Sequence, residues 1–213
     1  MDIRYAKVME WYNRYNDLQY YLKSITPKQI QSKRWLVEKL SMAIEENRRI
    51  PDKGTDVWLL GGWFGYPLID LLIRSNIDRM VNKYYDLDMD PLATSVCYQY
   101  SKIFQQEDRV IPSTNYVSAR IEEIVTWKNK IIINCSSEHM PSIPVMVKDM
   151  STIDPRNIFV IQSNDLFDEE DHTNCVRSED ELVEKNEMDQ VYFKGALKFD
   201  NYTRFMAIGS YNG

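Results

Sequence analysis

The hydrophobic and polar residues of this chain follow two alternating spacings, which predict strands separated by helices. Five short runs are almost continuously apolar, as in strands whose two faces are both buried. These runs are Asp56–Leu60, Lys83–Leu87, Arg109–Tyr116, Lys130–Asn134 and Asn157–Gln162. Between them, apolar residues recur three and four positions apart, as on one face of an α-helix. The order of elements therefore predicts repeated strand–helix units.

Residues that cap helices stand where the helical spacing begins. Thr26 precedes Pro27 and has Gln29 three positions later, and Asp90 precedes Pro91. Both patterns are typical of helix N-termini. We predict helices at about 3–24 and 27–48, from Pro67 to Ser75, after Asp90, at Ile121–Trp127 and from Ser178 to about Met188.

The last two apolar segments, Val191–Phe199 and Tyr202–Ile208, flank Asp200-Asn201, which is a hairpin-turn signal. Strand–helix alternation followed by a hairpin predicts an α/β fold. Its sheet would be doubly wound, mostly parallel and seven-stranded, with a C-terminal antiparallel hairpin and N-terminal helices. No linker divides the 213 residues, so we predict a single domain with a helical flank at 1–50 and a Rossmann-like core at 51–213.

The composition is that of an ordinary globular protein with an acidic balance. Thirty-two acidic and 26 basic residues give a formal net charge of -6, which disfavours a protein whose whole surface grips nucleic acid or anionic lipid. Cys97, Cys135 and Cys175 lack metal-ligand spacing, which indicates free thiols in a reducing compartment. No run approaches the roughly 18 apolar residues of a membrane helix. We therefore predict a cytoplasmic protein with no membrane partner.

Three of the chain's seven glycines lie within five residues, directly after the first apolar run. Gly61, Gly62 and Gly65 surround Trp63 and Phe64. In an open α/β sheet, ligands bind outside the carboxyl ends of the strands. Glycines there allow a tight turn and a close approach of the backbone to a ligand. A tight turn without a ligand explains them equally well, so both interpretations stay open.

An acidic cluster ends the second apolar run. An acidic residue at this place binds the hydroxyl groups of a ribose in dinucleotide-binding folds. Asp86 falls within the strand and Asp90 caps the next helix, which leaves Asp88 as the ribose candidate. The alternative is a solvated acidic turn. The spacing between the glycines and Asp88 matches one strand–helix–strand unit, which favours a nucleoside site.

A polar run, Asn134–Met140, follows the fourth apolar strand and contains one of the chain's two histidines. Glu138 and His139 are candidates for a general base, a proton relay or a substrate anchor. We expect Cys135 to be a buried cysteine without a catalytic role. The alternative is a loop whose Ser and Glu side chains cap the next segment.

A second polar stretch, Asp165–Asp171, follows the fifth strand and is joined by His172. Its spacing matches no compact metal-ligand motif, and carboxylate runs are usually solvated loops, so we predict no metal. Such a negative rim would repel polyanionic substrates and favour cationic ligands.

Together these features resemble the class I, seven-stranded Rossmann-like methyltransferases that use S-adenosylmethionine, over roughly residues 50–210. Val57–Gly65 resembles the family's first motif. Tyr85–Pro91 resembles its second, in which Asp88 matches the ribose-binding acid. Lys198–Tyr202 lies in what looks like the family's closing hairpin. The resemblance implies a methyltransferase fold with S-adenosylmethionine as cofactor.

Two residues depart from the family pattern in the first motif. Leu59 stands where an acid is usual, and Trp63 stands where the middle glycine is expected, so Trp63 would either wall part of the pocket or point away from it. By resemblance, the glycines would line the methionine and ribose part of the cofactor, Met89 would lie against adenine and Asn134 would face the cofactor. The implied cofactor-binding residues are Gly61, Gly62, Trp63, Gly65, Asp88, Met89 and Asn134.

The implied reaction is a direct in-line displacement at the sulfonium methyl, which mainly requires two reactants held in line at close range. Glu138 or His139 would act as base where the nucleophile must lose a proton. We predict transfer to a small molecule or an exposed side chain. The acidic balance disfavours DNA, as does a fourth-strand end that lacks the motifs of the amino-methylating and cytosine-methylating DNA enzymes.

Three other interpretations stay open. A structured RNA acceptor is less favoured, although basic residues concentrate in and just after the predicted helix at 27–48: Lys28, Lys33, Arg34, Lys39, Arg48 and Arg49. A methyltransferase-like binding module without turnover would explain Leu59 and Trp63. An enzyme that transfers the aminocarboxypropyl group of the same cofactor would keep the fold and change the chemistry.

Overall fold

A computed structural model describes residues 3–13, 18–47, 54–127 and 129–212 of the chain. Within these ranges the strands are β1 (Thr55–Leu60), β2 (Val81–Asp88), β3 (Val110–Thr114), β4 (Lys130–Asn134), β5 (Ile158–Asn164), β6 (Gln190–Lys198) and β7 (Thr203–Ser210). They form one seven-stranded sheet in the order β3-β2-β1-β4-β5-β7-β6. The pairs among β1 to β5 are parallel, whereas β7 runs antiparallel to both β5 and β6. The predicted fold class is confirmed.

Eight α-helices lie among the described residues: α1 (Ile3–Asn13), α2 (Leu18–Ser24), α3 (Pro27–Glu46), α4 (Leu68–Ile73), α5 (Pro91–Ile103), α6 (Val117–Thr126), α7 (Ile143–Met146) and α8 (Glu179–Lys185). The predicted N-terminal caps of the helices are observed. The side chains of Thr26, Asp90 and Ser178 each accept a hydrogen bond from a backbone N–H of the first helical turn. No helix in the described ranges combines the length and apolarity that a membrane crossing requires.

Three predicted helix boundaries differ from those observed. The segment predicted as one helix at 3–24 holds α1 and α2, and residues 14–17 between them lie outside the described ranges. The predicted end of the next helix, at residue 48, also lies outside them, because residues 48–53 after α3 are not described. Helix α6 begins at Val117, four residues before the predicted start, because Ile121 and Ile124 supply its buried face and the four residues before Ile121 complete the first turn. Helix α8 ends at Lys185, where the Asn186 side chain donates to the Leu182 carbonyl and closes the last turn.

Side chains of the strands alternate between two hydrophobic cores, one on each face of the sheet. Val57, Leu59 and Ile131 face the core that α1 to α5 cover. Leu60 and Ile132 face the core that α6, α7 and α8 cover. Successive strand residues point to opposite faces, so a nearly continuous apolar run is what a sheet with helices on both sides requires.

The helices before β1 attach to the sheet through aromatic rings. Tyr21 stacks on Tyr100 of α5 and lies against Phe64, which follows β1. The hydroxyl groups of Tyr21 and Tyr100 share a short buried hydrogen bond. Tyr12 adds a further contact to both Tyr21 and Phe64. Helices α1 and α2 therefore pack beside the glycine turn rather than standing apart from the core.

The topology brings distant segments to one edge of the sheet. Parallel strands β1, β2, β4 and β5 end there, and antiparallel β7 begins there. As a result, Arg204 at the start of β7 pairs with Asn164 at the end of β5. This edge therefore collects the polar residues that follow each parallel strand together with a cation from β7.

Candidate active site

The turn after β1 is built from residues in the left-handed region of backbone space. Gly61 and Gly65 have φ values of 60° and 68°, and Trp63 has a φ of 56°. The Gly65 N–H donates to the Gly62 carbonyl at 2.9 Å, which closes the turn. Left-handed backbone favours glycine and is rare for a bulky side chain. Trp63 therefore takes the conformation of the glycine that the family pattern expects, although it is not a glycine.

Close packing explains why two of these glycines are small. A Cβ added to Gly62 would lie 1.9 Å from Asp86 Oδ1, whereas one added to Gly65 would first meet Ile69 Cδ1 at 2.8 Å and Cys97 Sγ at 2.9 Å. Asp86 is fully buried in β2, and neither carboxyl oxygen has a hydrogen-bond partner among the described residues. The Cys97 thiol is a neighbour of this carboxyl. The glycine turn thus packs over Asp86.

Burial sets the charge state of this carboxyl. Desolvation raises the pKa of Asp86 well above its ordinary value; the Cys97 thiol opposes the rise and the Asp88 charge adds to it. Desolvation and the neighbouring Asp86 likewise raise the pKa of the Cys97 thiol. An ionised carboxylate without hydrogen bonds is costly to bury. Burial therefore favours the neutral form of the Asp86 carboxyl.

Asp88, predicted to hold a ribose, lies at the end of β2 against the glycine turn. Its Oδ2 accepts a hydrogen bond from the Trp63 N–H at 2.8 Å, and its Oδ1 accepts one from the Asp90 N–H at 2.9 Å. Partial burial raises the pKa of Asp88, and the two backbone donors oppose that rise. A carboxylate oxygen can accept more than one hydrogen bond, so each oxygen keeps accepting capacity.

The Trp63 side chain turns toward α2. Its Nε1 donates to the Tyr20 hydroxyl at 3.0 Å, and its ring stacks on Phe64 with centroids 4.7 Å apart. Tyr20 contacts the rings of both Trp63 and Phe64. The backbone N–H of Trp63 therefore donates to Asp88, while its ring packs between the turn and helix α2.

Glu138 lies at the carboxyl end of β4 and is 3% exposed. Its Oε1 accepts hydrogen bonds from Arg204 Nη1 at 2.7 Å and from Asn164 Nδ2 at 2.8 Å. Burial opposes the charge of Arg204, but Glu138 outweighs that effect and the pKa of the guanidinium is raised. The second oxygen, Oε2, is buried and has no partner among the described residues. One carboxylate oxygen of Glu138 thus accepts two hydrogen bonds, and the other accepts none from the described residues.

The two histidines of the chain meet at this edge. The rings of His139 and His172 form an edge-to-face pair with centroids 4.5 Å apart. His139 Nδ1 lies 3.2 Å from Asp171 Oδ2, and His172 Nδ1 lies 3.1 Å from the Leu166 carbonyl oxygen. The loop 165–172, predicted as a negative rim, therefore folds back over the end of β4 and places its histidine beside His139.

A cavity of about 130 Å³ lies between the glycine turn, the end of β4 and α3. It is bordered by Gly62 to Leu68, by Cys135, Ser136, Glu138 and His139, by Arg204, and by Ser24, Gln29 and Lys33. Ser136 Oγ donates to the Gly61 carbonyl at 3.3 Å, which ties the two strand-end turns together. A compact polar group placed here would meet charged side chains of both signs.

The predicted site residues divide into two groups. Gly62, Trp63 and Gly65 border the cavity together with Glu138 and His139. Asp88 does not border it and contacts the turn through the Trp63 N–H, and Met89, the next residue, is 67% exposed. Asn134 is buried, and its Oδ1 accepts from the Ser136 N–H, so it shapes the turn after β4. Cys135 is buried, as expected.

Two residues of the site were not found by sequence reasoning. Arg204 and Asn164 hold Glu138 in place, yet neither stands in a motif. One feature could have indicated Arg204. The last strand, β7, pairs antiparallel with β5, and this pairing brings the start of β7 to the carboxyl edge of the sheet. A buried acid at the end of β4 then requires a buried cation nearby, and Arg204 is such a cation at that edge.

Solved structures share this fold at low sequence identity. A complex of TrmK from M. capricolum with S-adenosylhomocysteine, described as its natural cofactor product, has a TM-score of 0.51 and 10% identity over 78% of this chain and 67% of that one. A tRNA m1G37 methyltransferase from M. jannaschii has a TM-score of 0.56 and 13% identity over 89% of this chain and 51% of that one. This chain thus spans about half the length of the M. jannaschii enzyme.

An rRNA methylase from Streptococcus thermophilus gives a TM-score of 0.51 and 14% identity over 88% of this chain and 98% of that one. No protein-family model and no curated protein sequence matches the chain. These likenesses establish the fold, and the resemblance to the class I methyltransferase fold that the sequence predicts is confirmed.

Proposed function

We propose that this chain binds S-adenosylmethionine at the carboxyl ends of β1 and β2 and transfers its methyl group to a compact acceptor beside β4. The observation that carries the proposal is the hydrogen bond from the Trp63 N–H to Asp88. It joins the turn expected to hold the methionine part of the cofactor to the acid expected to hold the ribose. The shared fold with methyltransferases supports the same function.

The residues at this edge fit such a cofactor, with one rearrangement. Asp88 keeps acceptor capacity on both oxygens for the two hydroxyl groups of a ribose. A Cβ on Gly61 would lie 2.6 Å from the terminal methyl of Met140, so the Met140 side chain covers Gly61. The cavity of about 130 Å³ is also below the usual size of a ligand pocket. Methionine is flexible, and we infer that Met140 turns aside when the cofactor binds.

The acceptor would lie in the cavity bordered by Glu138, His139, Arg204 and Lys33. When bound, the cofactor supplies an electrophilic methyl group, and the protein's part is to hold the acceptor in line. Because Nδ1 of His139 faces the Asp171 carboxylate, Nδ1–H donates to it, and Nε2 is the ring nitrogen left to accept a proton from the acceptor. Glu138 holds Arg204 in place. A small molecule or an exposed side chain fits this space.

Asp88→Asn tests the cofactor site. Asparagine keeps one oxygen for one of the two backbone donors, and it loses the charge that strengthens bonds to the ribose. We expect the affinity for S-adenosylmethionine to fall about 10-fold or more, because hydrogen bonds to charged groups contribute roughly 1.5–3 kcal/mol. The measurement is isothermal titration with S-adenosylmethionine and with S-adenosylhomocysteine, alongside a thermal melt that confirms folding.

Asp90→Asn is the matched control, because it makes the same change two residues away and asparagine still caps α5. Its affinity should equal that of the unchanged protein. Equal losses in the two variants would contradict a specific role for Asp88. No heat with either ligand in the unchanged protein would contradict the cofactor proposal itself.

A binding module without turnover is the second candidate function. It is favoured by the coverage of Gly61 by Met140 and by the two backbone donors that already occupy Asp88. Product analysis separates the candidates. Methyl transfer releases the demethylated cofactor, aminocarboxypropyl transfer releases 5′-methylthioadenosine, and a binding module releases neither.

A further inference from the structure

We propose that Glu138, His139 and His172 form a binding site for a divalent transition-metal ion such as Zn²⁺. One ligand atom from each of these residues lies within 4.8 Å of the others. The three residues come from two loops at the carboxyl edge of the sheet, after β4 and after β5. This inference does not rest on methyl transfer, since a metal can bind whether or not the cofactor does.

Each imidazole ring has its Nδ1 beside an oxygen acceptor, as metal-binding histidines do. A carbonyl or carboxylate oxygen only accepts hydrogen bonds, so Nδ1 of His172 donates to the Leu166 carbonyl and Nδ1 of His139 donates to Asp171. Each neutral ring then carries its free lone pair on Nε2. Metal-binding histidines almost always donate their other N–H to a carboxylate or backbone carbonyl, which fixes the tautomer.

The third ligand is independently marked by a missing hydrogen bond. Glu138 is 3% exposed, and its Oε2 is buried with no partner among the described residues. A buried carboxylate oxygen without a donor is unfavourable, and a cation would satisfy it. Oε1 is held by Arg204 and Asn164, so Glu138 would bind through Oε2 alone.

The chemistry of the donors selects the kind of ion. Imidazole nitrogen suits zinc, copper, iron and nickel, whereas Mg²⁺ and Ca²⁺ prefer oxygen ligands. Two histidines and one carboxylate also bind zinc in hydrolytic enzymes, where a fourth position stays open. In a tetrahedral zinc site the ligand atoms lie roughly 3.4 Å apart. The observed separations, at most 4.8 Å, require a closure of up to about 1.4 Å, which we expect rotation of the exposed His139 and the half-buried His172 to supply.

Charge around the site favours a cation despite Arg204. The loop that carries His172 also carries Asp165, Asp168, Glu169, Glu170 and Asp171. Such a cluster lowers the local electrostatic potential. Glu138 and His139 also border the cavity, so an open coordination position would face a molecule bound there. With Nε2 coordinated, His139 no longer serves as a base, and a metal-bound hydroxyl group releases its proton more readily.

The test is zinc binding by the full chain, measured by metal analysis after dialysis and by titration with Zn²⁺. We expect a single zinc ion per chain. His172→Ala, which changes a residue outside the cavity, should weaken binding by about 100-fold or more, and His139→Ala should do the same. Thermal melts should show a rise with Zn²⁺ in the unchanged protein and none in either variant.

Asp171→Asn tests the support of His139 and should weaken zinc binding by about 10-fold. Asp168→Asn is its matched control, because it removes the same charge from the same loop, and its affinity should be unchanged. Equal weakening in both would indicate a general charge effect and contradict the assigned ligand geometry.

A cysteine site is the main competing explanation, since Cys175 Sγ lies 3.6 Å from His172 Nδ1. Substitution of Co²⁺ distinguishes the two, because thiolate ligation adds a sulfur-to-metal charge-transfer band that histidine and carboxylate ligands lack. We expect no such band and unchanged zinc affinity in Cys175→Ser. Zinc retained by both histidine variants, or lost in Cys175→Ser, would overturn the proposal.

Discussion

At the scale of single residues, Asp86 gives the glycine turn its shape. Its carboxyl fills the space in which a side chain at position 62 would lie, while Ile69 and Cys97 fill the space at position 65. The turn therefore needs small residues there for packing as well as for ligand approach. The two sequence interpretations of the glycines, a tight turn or a ligand turn, thus describe different parts of one motif.

Stability should depend on pH through Asp86. Its folded pKa is raised well above the unfolded value, so its contribution is fully present below the unfolded pKa of about 3.9 and is lost as pH rises toward the folded pKa. The loss amounts to about 1.4 kcal/mol per pH unit in that range. Asp86→Asn mimics the neutral form of the carboxyl, so the difference in free energy of unfolding between this variant and the unchanged protein should shift in favour of the variant as pH rises above about 4.

Urea unfolding of the two proteins at several pH values measures the difference. Asp200→Asn, in the exposed hairpin turn, removes a carboxylate without burial and should follow the unchanged protein at every pH. If Asp86→Asn also followed the unchanged protein at every pH, the pKa of Asp86 would not be raised by folding and the predicted pH dependence would be wrong.

At the scale of elements, the β1–α4 turn connects the sheet edge to the N-terminal helices through one residue. The N–H of Trp63 bonds to Asp88 while its ring contacts Tyr20 and Phe64. The left-handed backbone costs an L-residue roughly 1–2 kcal/mol. Contacts of the ring with α2 offset that cost, which is why a tryptophan is tolerated at a glycine position.

Trp63→Gly should leave the affinity for S-adenosylmethionine within about threefold, a change of roughly 0.7 kcal/mol, because the backbone donor to Asp88 remains. Trp63→Ala is the matched control, because alanine also lacks the ring but still has the free-energy cost of a left-handed backbone in an L-residue. The glycine variant should be more stable than the alanine variant by about 1 kcal/mol, measured by urea unfolding. A tenfold loss of affinity in both would show instead that the ring forms a wall of the pocket.

At the scale of the whole molecule, the fold could be predicted because its signals are local. Apolar runs, caps and the Asp200-Asn201 turn each report on neighbouring residues. The position of the residues after β1, β2 and β4 at one edge of the sheet could be predicted too, since parallel strands end at the same edge. The pairing of His139 with His172, and of Glu138 with Arg204, depends on how loops and β7 fold back. Local patterns carry no information on that.

The ion pair between Glu138 and Arg204 has a consequence for the order of folding. Its partners are 66 residues apart in sequence, and a buried charge without its partner is strongly destabilising. The turn after β4 therefore cannot reach its final burial until β7 has docked between β5 and β6. We expect the amides of residues 136–140 and 203–206 to exchange hydrogen with the same opening free energy, as one cooperative unit. Much faster exchange at 136–140 would show that the two segments form independently.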